Sequence, residues 1–413
     1  MRQNIHIPYG SQRLPLFPPE HGVELPLGEP DKLINPSLFR SRLEKFLRDH
    51  PLDLRRPILV VADKTRLCGY PEYLPLLIDT LEEHGMDSAA LRIVIAYGTH
   101  PPQSEAECLH AYGELYGRAA FIHHDCRETG LFVELGRTAR GTPIRCRRDL
   151  LEASAVITMG AICHHYFAGY GGGRKLIFPG CGERDAIYAN HSLYLDRATG
   201  TLSAGCQPGL LRENPLAEDL FAIEEKMPVD LAIHGILDSR GNLCDLLPGR
   251  GRPHFLAACA THGRACEVQS PRFATVVASC GGFPKDINFI QSHKAVHNAA
   301  MFVEDGGQLL LYCECRDGIG SETFLPWFTA GSFTAAFDRL VDRYEGNGGT
   351  ALAMMTKTSR IRIGLITSLD EALCHRIGVE RWHHDQVCLF LANLRPDQSL
   401  AVIANAGLLV NKS

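Results

Sequence analysis

The sequence predicts an α/β protein of two domains, each built on a mostly parallel β-sheet. Short β-branched runs alternate with helical stretches along the chain, which is typical of successive strand–helix–strand units. The runs are continuously apolar, as strands covered on both faces should be. The 413 residues are also enough for two domains that each bury a full core.

The predicted elements follow in chain order. The first 50 residues are rich in proline and predict an N-terminal strand, an irregular arm and then a helix over 37–49. A Gly- and Arg-rich segment at 248–253 leads into a helix that ends near residue 266, and a later helix is predicted over 292–303. The predicted strands are Ile58–Ala62, Ile93–Ala96, Ala120–His123, Ala155–Met159, Asp230–Ile236, Ala274–Ala278, Leu309–Tyr312, Ile361–Ile366 and Leu400–Ile403.

We expect the domain boundary near 268–273, where the alternation of strands and helices restarts after Pro271. The first predicted domain is 1–270 and the second is 271–399. The closing segment 400–413 is expected to return to the first sheet.

The composition excludes several functional classes. The net charge of -5 comes from acidic and basic residues spread along the chain, so it gives no electrostatic footprint for nucleic acid or an anionic membrane. The 15 cysteines include no Cys-x-x-Cys pair and are expected to be reduced and structural. Met1–Leu14 has no apolar core of a signal peptide and no window reaches about 18 uninterrupted apolar residues, so we expect a cytoplasmic protein.

Polar residues follow four of the predicted strands in succession. In open α/β sheets the ligand lies beyond the carboxyl ends of the strands. Any one of these residues is more often a helix cap or a surface side chain, but four in succession predict a site. They are Asp63-Lys-Thr-Arg66, Gly98-Thr-His100, His123-His-Asp125 and His164-His165.

A glycine run, Gly171–Gly173, precedes Arg174 and Lys175. Consecutive glycines let backbone N–H groups approach an anion, so either a phosphate cradle or a flexible loop is consistent with this segment. It is not a P-loop, because Leu176 takes the place of the Ser or Thr after the lysine, and it does not match the dinucleotide fingerprint in position. Lys175 is open to three roles, namely phosphate ligand, base or nucleophile.

The remaining candidates are three histidines in the first half of the chain and a Gln–Lys pair in the second half. His100, His165 and His191 are suited to binding a metal or to donating and accepting protons. Gln291 and Lys294 are three residues apart at the start of a predicted helix, which favours either a carboxylate-binding pair or a solvated capping turn.

These residues, in this order and spacing, resemble the nickel-dependent lactate racemase family and its related 2-hydroxyacid racemases and epimerases. The resemblance runs from about Asp63 to Lys294. It rests on Asp63-x-Thr-Arg66, Gly98-Thr-His100, His165 to Lys175, His191 and Gln291-x-x-Lys294.

The resemblance implies an active site in a cleft between the two domains. The domain 1–270 would be catalytic and bind the cofactor, and 271–399 would close the cleft over a small 2-hydroxyacid. The implied cofactor is a nickel-pincer nucleotide, pyridinium-3-thioamide-5-thiocarboxylic acid mononucleotide with nickel. Separate biosynthetic enzymes make it and would be transient partners.

The resemblance also implies a role for each matched residue. Lys175 would be joined to the cofactor through a thioamide, and His191 would ligate the nickel. His100 and His165 would take and return the hydroxyl proton on opposite faces while hydride moves between the substrate Cα and the cofactor, which suits two imidazoles beside a planar ketone. The remaining implied contacts are Arg66, Gln291 and Lys294 with the substrate, and Asp63, Thr65, Gly172 and Gly173 with the cofactor.

The chain departs from the family in one place. Lactate racemases have a tryptophan over the pocket in the second domain, whereas this chain reads Gly348–Met355 there, and neither Trp327 nor Trp382 matches its position. We therefore expect a 2-hydroxyacid other than lactate. Two alternatives stay open: a metal-dependent enzyme of the same fold acting on another hydroxy-carboxylate or sugar acid, and a non-catalytic relative that binds the cofactor.

Overall fold

The computed structural model describes residues 4–227 and 229–412. Residues 1–3, which begin both the Met1–Leu14 stretch and the first predicted domain, lie outside the described residues. The same holds for residue 228 of that domain and for residue 413 of the closing segment 400–413. The chain divides into two compact units. One consists of Glu29–Leu193 and Leu210–Ala265, and the other of the described residues up to 28, 194–209 and 266–412.

The first unit is built on a six-stranded sheet that is parallel except at one edge. Its strands, in spatial order, are Leu243–Gly249, Leu231–Leu237, Ala155–Ala161, Pro57–Ala62, Arg92–Ala96 and Ala120–His123. The central strand Pro57–Ala62 is buried along its whole length, as its apolar run predicts. The edge strand Leu243–Gly249, which the sequence did not predict, runs antiparallel to its neighbour and includes the start of the Gly- and Arg-rich segment 248–253. Pro248 is tolerated there because an edge strand has one unpaired side.

The other elements of the first unit are helices and two short hairpins. The hairpins are Phe132–Arg137 with Pro143–Arg147, and Cys163–His165 with Gly169–Gly171. The helices are Pro36–Asp49, Tyr70–Glu83, Glu105–Tyr112, Arg148–Glu152, Arg184–His191, Pro215–Glu224 and Gly251–Cys266, the last of which ends at the crossing to the other unit.

The second unit is built on a six-stranded sheet that is parallel throughout. Its strands, in spatial order, are Glu380–Trp382, Arg362–Ile366, Val303–Tyr312, Phe273–Ser279, Leu400–Ile403 and Val23–Glu24. Its helices are Phe289–Ala300, Phe333–Asp342, Gly348–Arg360, Glu371–Arg376 and His384–Ala392. Its short strand pairs are Ile5–Tyr9 with Gln12–Leu16, Leu195–Asp196 with Thr201–Leu202, and Glu267–Val268 with Val410–Asn411.

The predicted fold class, two α/β units with mostly parallel sheets, is confirmed. The chain crosses between units after residues 28, 193, 209 and 265, and the last of these crossings lies close to the predicted boundary at 268–273. Two expectations are corrected. The described residues up to 28 and residues 194–209 belong to the second unit and not to the first predicted domain, 1–270. Leu400–Ile403 pairs with Phe273–Ser279 in the second sheet and does not return to the first. A continuously apolar run fits the centre of either sheet, so its composition does not identify its neighbour.

The cysteines are reduced and mostly buried, in agreement with the structural role predicted for them. All 15 cysteines are free thiols, and all but Cys163 and Cys388 are buried. Among the residues described, no helix is both long and apolar enough to cross a membrane.

Lys357 is a buried lysine in the second unit. Its side chain is 8% exposed and its ammonium donates to the carbonyl of Ala353 at 2.8 Å. Burial, and then the charge of Arg360, lower the pKa of Lys357 to about 7. Because the unfolded lysine titrates near 10.4, the native state resists protonation between these values, and this group makes unfolding free energy rise with pH across about pH 7 to 10.

We therefore expect Lys357→Met to stabilise the second unit at pH 7, by on the order of 2 kcal/mol, and to reduce the rise in stability between about pH 7 and 10. Thermal unfolding of the full chain at several pH values measures both effects. Exposed Lys45 provides the control, since Lys45→Met should leave the pH dependence unchanged. A lower melting temperature with an unchanged pH slope would contradict the assignment.

Candidate active site

A cavity of about 130 Å³ lies in the first unit beyond the carboxyl ends of its central strands. It brings together most of the site residues that the sequence predicted. These are Asp63, Arg66, His100, His165, Gly172, Lys175 and His191. Gly98, Thr99 and Gly171, which belong to motifs identified in the sequence, also line it. The other lining residues are Ala62, Ala96, Tyr97, Gly160, Ala161, Leu176, Pro179, Gly180 and Ile187.

The glycine run lets the chain turn tightly beside the cavity. Gly172 has φ of +75°, and a Cβ there would lie 2.2 Å from the carbonyl oxygen of Ala161. Only glycine fits such an approach, and the 3-10 turn that follows carries Lys175 to the cavity. Gly173 does not line the cavity, because it packs against Phe255, whose ring a Cβ would meet at 2.5 Å.

A hydrogen bond joins Asp63 and His100 at the cavity. The imidazole Nδ1 of His100 lies 2.6 Å from Oδ2 of Asp63, and Thr65 donates to Oδ1 from its backbone N–H at 2.9 Å and its hydroxyl at 2.6 Å. Burial alone would raise the pKa of Asp63, but the hydrogen bonds from His100 and Thr65 lower it to about 2. An ionised carboxylate only accepts, so Nδ1 of His100 carries a proton and Nε2 is the accepting nitrogen of the neutral ring.

His165 is held in the opposite tautomer. It ends the strand Cys163–His165, and its Nδ1 accepts hydrogen bonds from the backbone N–H groups of Phe167 and Ala168, at 3.2 Å each. A backbone amide can only donate, so Nδ1 is unprotonated and the neutral ring holds its proton on Nε2. The two histidines therefore differ in the nitrogen that carries the proton.

Burial lowers the pKa values of both Lys175 and His191. Burial, followed by the charges of Arg66 and Arg174, lowers the pKa of Lys175 well below its usual range. Burial and the nearby Lys175 lower the pKa of His191 to about 3. Nδ1 of His191 lies 2.9 Å from the carbonyl oxygen of Ile187, which only accepts, so Nε2 is the nitrogen with the lone pair. A neutral amine suits covalent attachment, and a neutral imidazole backed by a carbonyl suits metal binding.

The side chains of Arg66 and Arg174 have different surroundings. Arg66 lines the cavity, its Nη1 lies 3.7 Å from the thiol of Cys163, and no carboxylate among the described residues is within ion-pair distance of it. Arg174 is 3% exposed and packs on the rings of Phe221 and Phe255, with its Cζ 4.2 and 4.7 Å from their centroids. Arg174 therefore does not reach the cavity, although its charge contributes to the lowered pKa of the adjacent Lys175.

Besides Gly173, three predicted site residues do not line this cavity. Thr65 holds Asp63 and has no surface on the cavity. Gln291 and Lys294 belong to the second unit, in the helix Phe289–Ala300 that Asn288 caps. They share one face there as predicted, and Nζ of Lys294 donates to Oε1 of Gln291 at 2.7 Å.

Three histidines line the cavity, but the described residues do not form a complete metal site there. Among residues 4–227 and 229–412, no group of three His, Cys, Asp or Glu side chains is arranged to hold a metal ion. Nε2 of His191 carries a lone pair, which suits binding of a metal whose other ligands come from a bound molecule.

A carboxylate-backed histidine, a second histidine and a buried lysine lie together at the carboxyl ends of a parallel sheet, an arrangement typical of enzymes that use acid–base catalysis. The sequence model of the lactate racemase N-terminal domain matches residues 32–201, and that of the lactate racemase C-terminal domain matches 268–347. Together they cover more than half of the chain. The chain belongs to the lactate racemase family and is an isomerase, as the resemblance predicted.

Similar proteins agree with the family assignment. A lactate racemase from Thermoanaerobacterium thermosaccharolyticum is 27% identical over 79% of this chain and 78% of its own length. A lactate racemase from Lactiplantibacillus plantarum is 26% identical over 71% of this chain and 67% of its own length. The apoprotein structure of the Thermoanaerobacterium enzyme superposes with a TM-score of 0.87 over the whole of both chains at 22% identity, which shows a shared fold. A Thermotoga maritima protein superposes with a TM-score of 0.66 at 15% identity, over 93% of this chain and 99% of its own.

Proposed function

We propose that this protein is a racemase or epimerase of a 2-hydroxyacid other than lactate, and that it works with a nickel-pincer nucleotide joined to Lys175. The observation that carries the proposal is the single cavity that brings together Arg66, His100, His165, Lys175 and His191. The chemistry needs a carboxylate ligand, two groups that handle the hydroxyl proton, and a hydride acceptor that no side chain supplies.

The neutral donors fit this cofactor. Lys175 would hold it through a thioamide, and His191 would bind the nickel through Nε2. The pincer itself would supply the remaining ligands, which agrees with the lack of a three-residue metal set in the described chain. When bound, the cofactor would accept the hydride from the substrate Cα and return it. Separate enzymes would deliver it, in a cytoplasmic setting.

The two histidines would move the hydroxyl proton. Nε2 of His100 accepts it, and the carboxylate of Asp63 stabilises the imidazolium that results. His165 presents an Nε2–H to the substrate oxygen. It would transfer that proton from its imidazolium form, because loss of the single proton of the neutral ring would leave an imidazolate. A proton accepted by neutral His100 and one donated by the His165 imidazolium leave the two rings with exchanged protonation states, so solvent must restore them before the next turnover in the same direction.

Arg66 would bind the substrate carboxylate, with Gln291 and Lys294 of the second unit as further ligands. Arg66 suits the task because it is always charged and has no carboxylate partner in the described chain. We expect Arg66→Met to raise KM for the substrate by about 10- to 100-fold. Steady-state kinetics of the cofactor-loaded enzyme measures this change.

Two further variants sharpen the test of Arg66. Arg66→Lys should restore only part of the loss, because lysine lacks the planar fork that pairs with a carboxylate. Exposed Arg148 offers a control, and Arg148→Met should leave KM unchanged. An unchanged KM in Arg66→Met would remove Arg66 from the substrate site.

The departure in the second unit supports a substrate other than lactate. Residues 348–355 lie in the helix Gly348–Arg360, and a Cβ at Gly348 would lie 2.9 Å from the ring of Trp327, which is itself buried. The match to the family's C-terminal model ends just before this helix, at residue 347.

A panel of enantiopure 2-hydroxyacids, followed by chiral chromatography with the cofactor-loaded enzyme, tests the proposed activity. We expect interconversion of a member with a larger or differently shaped side chain, faster than that of lactate. Dehydration or hydrolysis without interconversion across the panel would favour the alternative metal-dependent enzyme, and preferred turnover of lactate would contradict the proposed substrate.

A further inference from the structure

A buried glutamine bridges the two loops that carry Asp63 and His100. Gln103 is 7% exposed, and its Oε1 accepts a hydrogen bond at 2.8 Å from the backbone N–H of Lys64, the residue after Asp63. The backbone N–H can only donate, so Oε1, and not Nε2, faces it. Nε2 points instead to the thiol of Cys108, at 3.7 Å.

Gln103 is fixed on its own loop by a second buried contact. Its backbone N–H donates to the hydroxyl of Tyr97 at 3.2 Å, and that hydroxyl lies 2.8 Å from Nδ1 of His123. Tyr97 itself precedes the tight turn to His100, whose backbone N–H donates to the carbonyl of Tyr97 at 3.0 Å. The loop from 97 to 103 is therefore closed by hydrogen bonds at both ends.

We propose that Gln103 is a positioning residue, which holds the Asp63 turn against the His100 loop and so maintains the hydrogen bond between the Asp63 carboxylate and Nδ1 of His100. This inference rests on the proposed role of His100 as a proton acceptor. It extends that role, because the side chain of Gln103 is not among the residues that line the cavity. An enzyme's rate falls steeply when a catalytic group is displaced by about an ångström. A buried bridge between the loops that carry Asp63 and His100 prevents that displacement.

An exposed contact between the same two segments offers a matched control. Nζ of Lys64 pairs with the carboxylate of Glu107 at the surface, where both side chains are more than two-fifths exposed. Solvent screens such a pair, and flexible side chains pay entropy to hold it, so it should contribute little to the position of Asp63. Lys64→Ala removes this pair and leaves the backbone N–H that Gln103 accepts.

The test uses the full chain without cofactor, labelled with ¹⁵N-histidine, and follows the Nδ1–H resonance of His100, assigned by its loss in His100→Gln. In Gln103→Met, which removes the acceptor at similar volume, we expect this resonance to shift upfield or to exchange with water. It should be retained in Gln103→Glu, which keeps an acceptor oxygen, and in Lys64→Ala. An unchanged resonance in Gln103→Met would overturn the proposal.

Kinetics of the cofactor-loaded variants separates positioning from general destabilisation. Gln103→Met should lower kcat by about 10- to 100-fold with KM unchanged, and Gln103→Glu should recover most of the rate. Equal losses in Gln103→Met and Lys64→Ala would also overturn the proposal.

One outcome separates the positioning role of Gln103 from the proposed function. If the His100 resonance responds to Gln103→Met but the wild-type enzyme interconverts no 2-hydroxyacid, the positioning role stands and the proposed function fails. If Gln103→Met does not fold, Tyr97→Phe decides, because it takes only the hydroxyl that Gln103 N–H binds; an unchanged resonance in that variant overturns the proposal.

Discussion

Lys175→Met is expected to reduce racemisation to the level of a control without enzyme, because the cofactor would lose its covalent attachment and no side chain accepts a hydride in its place. Burial and the charges of Arg66 and Arg174 lower the pKa of the native amine, which favours its nucleophilic neutral form. Methionine has a similar length and no nucleophilic nitrogen. Chiral chromatography after expression with the cofactor-making enzymes measures the loss.

The control for this variant is an exposed lysine close in sequence to the site. Lys64→Met should retain the wild-type rate, because Nζ of Lys64 contacts only the surface carboxylate of Glu107. Substantial activity in Lys175→Met, with a cofactor that stays bound through gel filtration, would contradict covalent attachment at this residue.

His100→Gln is expected to slow interconversion about 100- to 10,000-fold in both directions, because each direction needs both a proton acceptor and a proton donor. The variant should still carry the cofactor, since His100 is not among the residues proposed to hold it. Asp63→Asn should cost less, because it leaves the imidazole in place and removes the carboxylate that fixes its tautomer. Initial rates from each enantiomer, together with intact mass, measure these effects.

His110 supplies a matched histidine control. It is exposed on the helix Glu105–Tyr112, so His110→Gln should behave as the wild type. If His100→Gln slowed the reaction from one enantiomer only, the account of two histidines that act together in each direction would be wrong.

The fold could be predicted where burial leaves a clear pattern in the sequence. Strands buried on both faces, such as Pro57–Ala62, are continuous apolar runs, so most of them were located within a residue or two. Val303–Tyr312 begins six residues before the predicted Leu309, because its first part is polar and largely exposed. The edge strand Leu243–Gly249 was missed because its proline and its charged neighbours match an irregular segment equally well. The partner of Leu400–Ile403 was wrong because pairing between distant strands depends on the whole topology.

The site could be predicted as a set of positions but not as a set of contacts. Residues after the strands converge because the carboxyl ends of parallel strands share one edge, and this placed Asp63 and His100 together at the cavity. Their direct hydrogen bond joins residues 37 positions apart, which no local spacing encodes. The tautomer of His165 likewise depends on the backbone amides that its own loop turns toward Nδ1.

Neighbouring residues in the glycine-rich segment show the same limit. Arg174 and Lys175 are adjacent in a 3-10 turn, where successive side chains point about 120° apart. One therefore enters the aromatic core beside Phe221 while the other reaches the cavity. Sequence shows the two charges together and does not show that the turn separates them. Gln103 was missed because a buried glutamine carries no motif.

The most direct test is the mass of the peptide containing Lys175, together with the nickel content of the intact protein, after expression with the cofactor-making enzymes. We predict an adduct on Lys175 with the mass of the pincer nucleotide and close to one nickel per chain. In His191→Ala the adduct should remain while the nickel falls, since Nε2 of His191 is the proposed ligand. An unmodified Lys175 with no nickel, in protein that still interconverts a 2-hydroxyacid, would contradict the account.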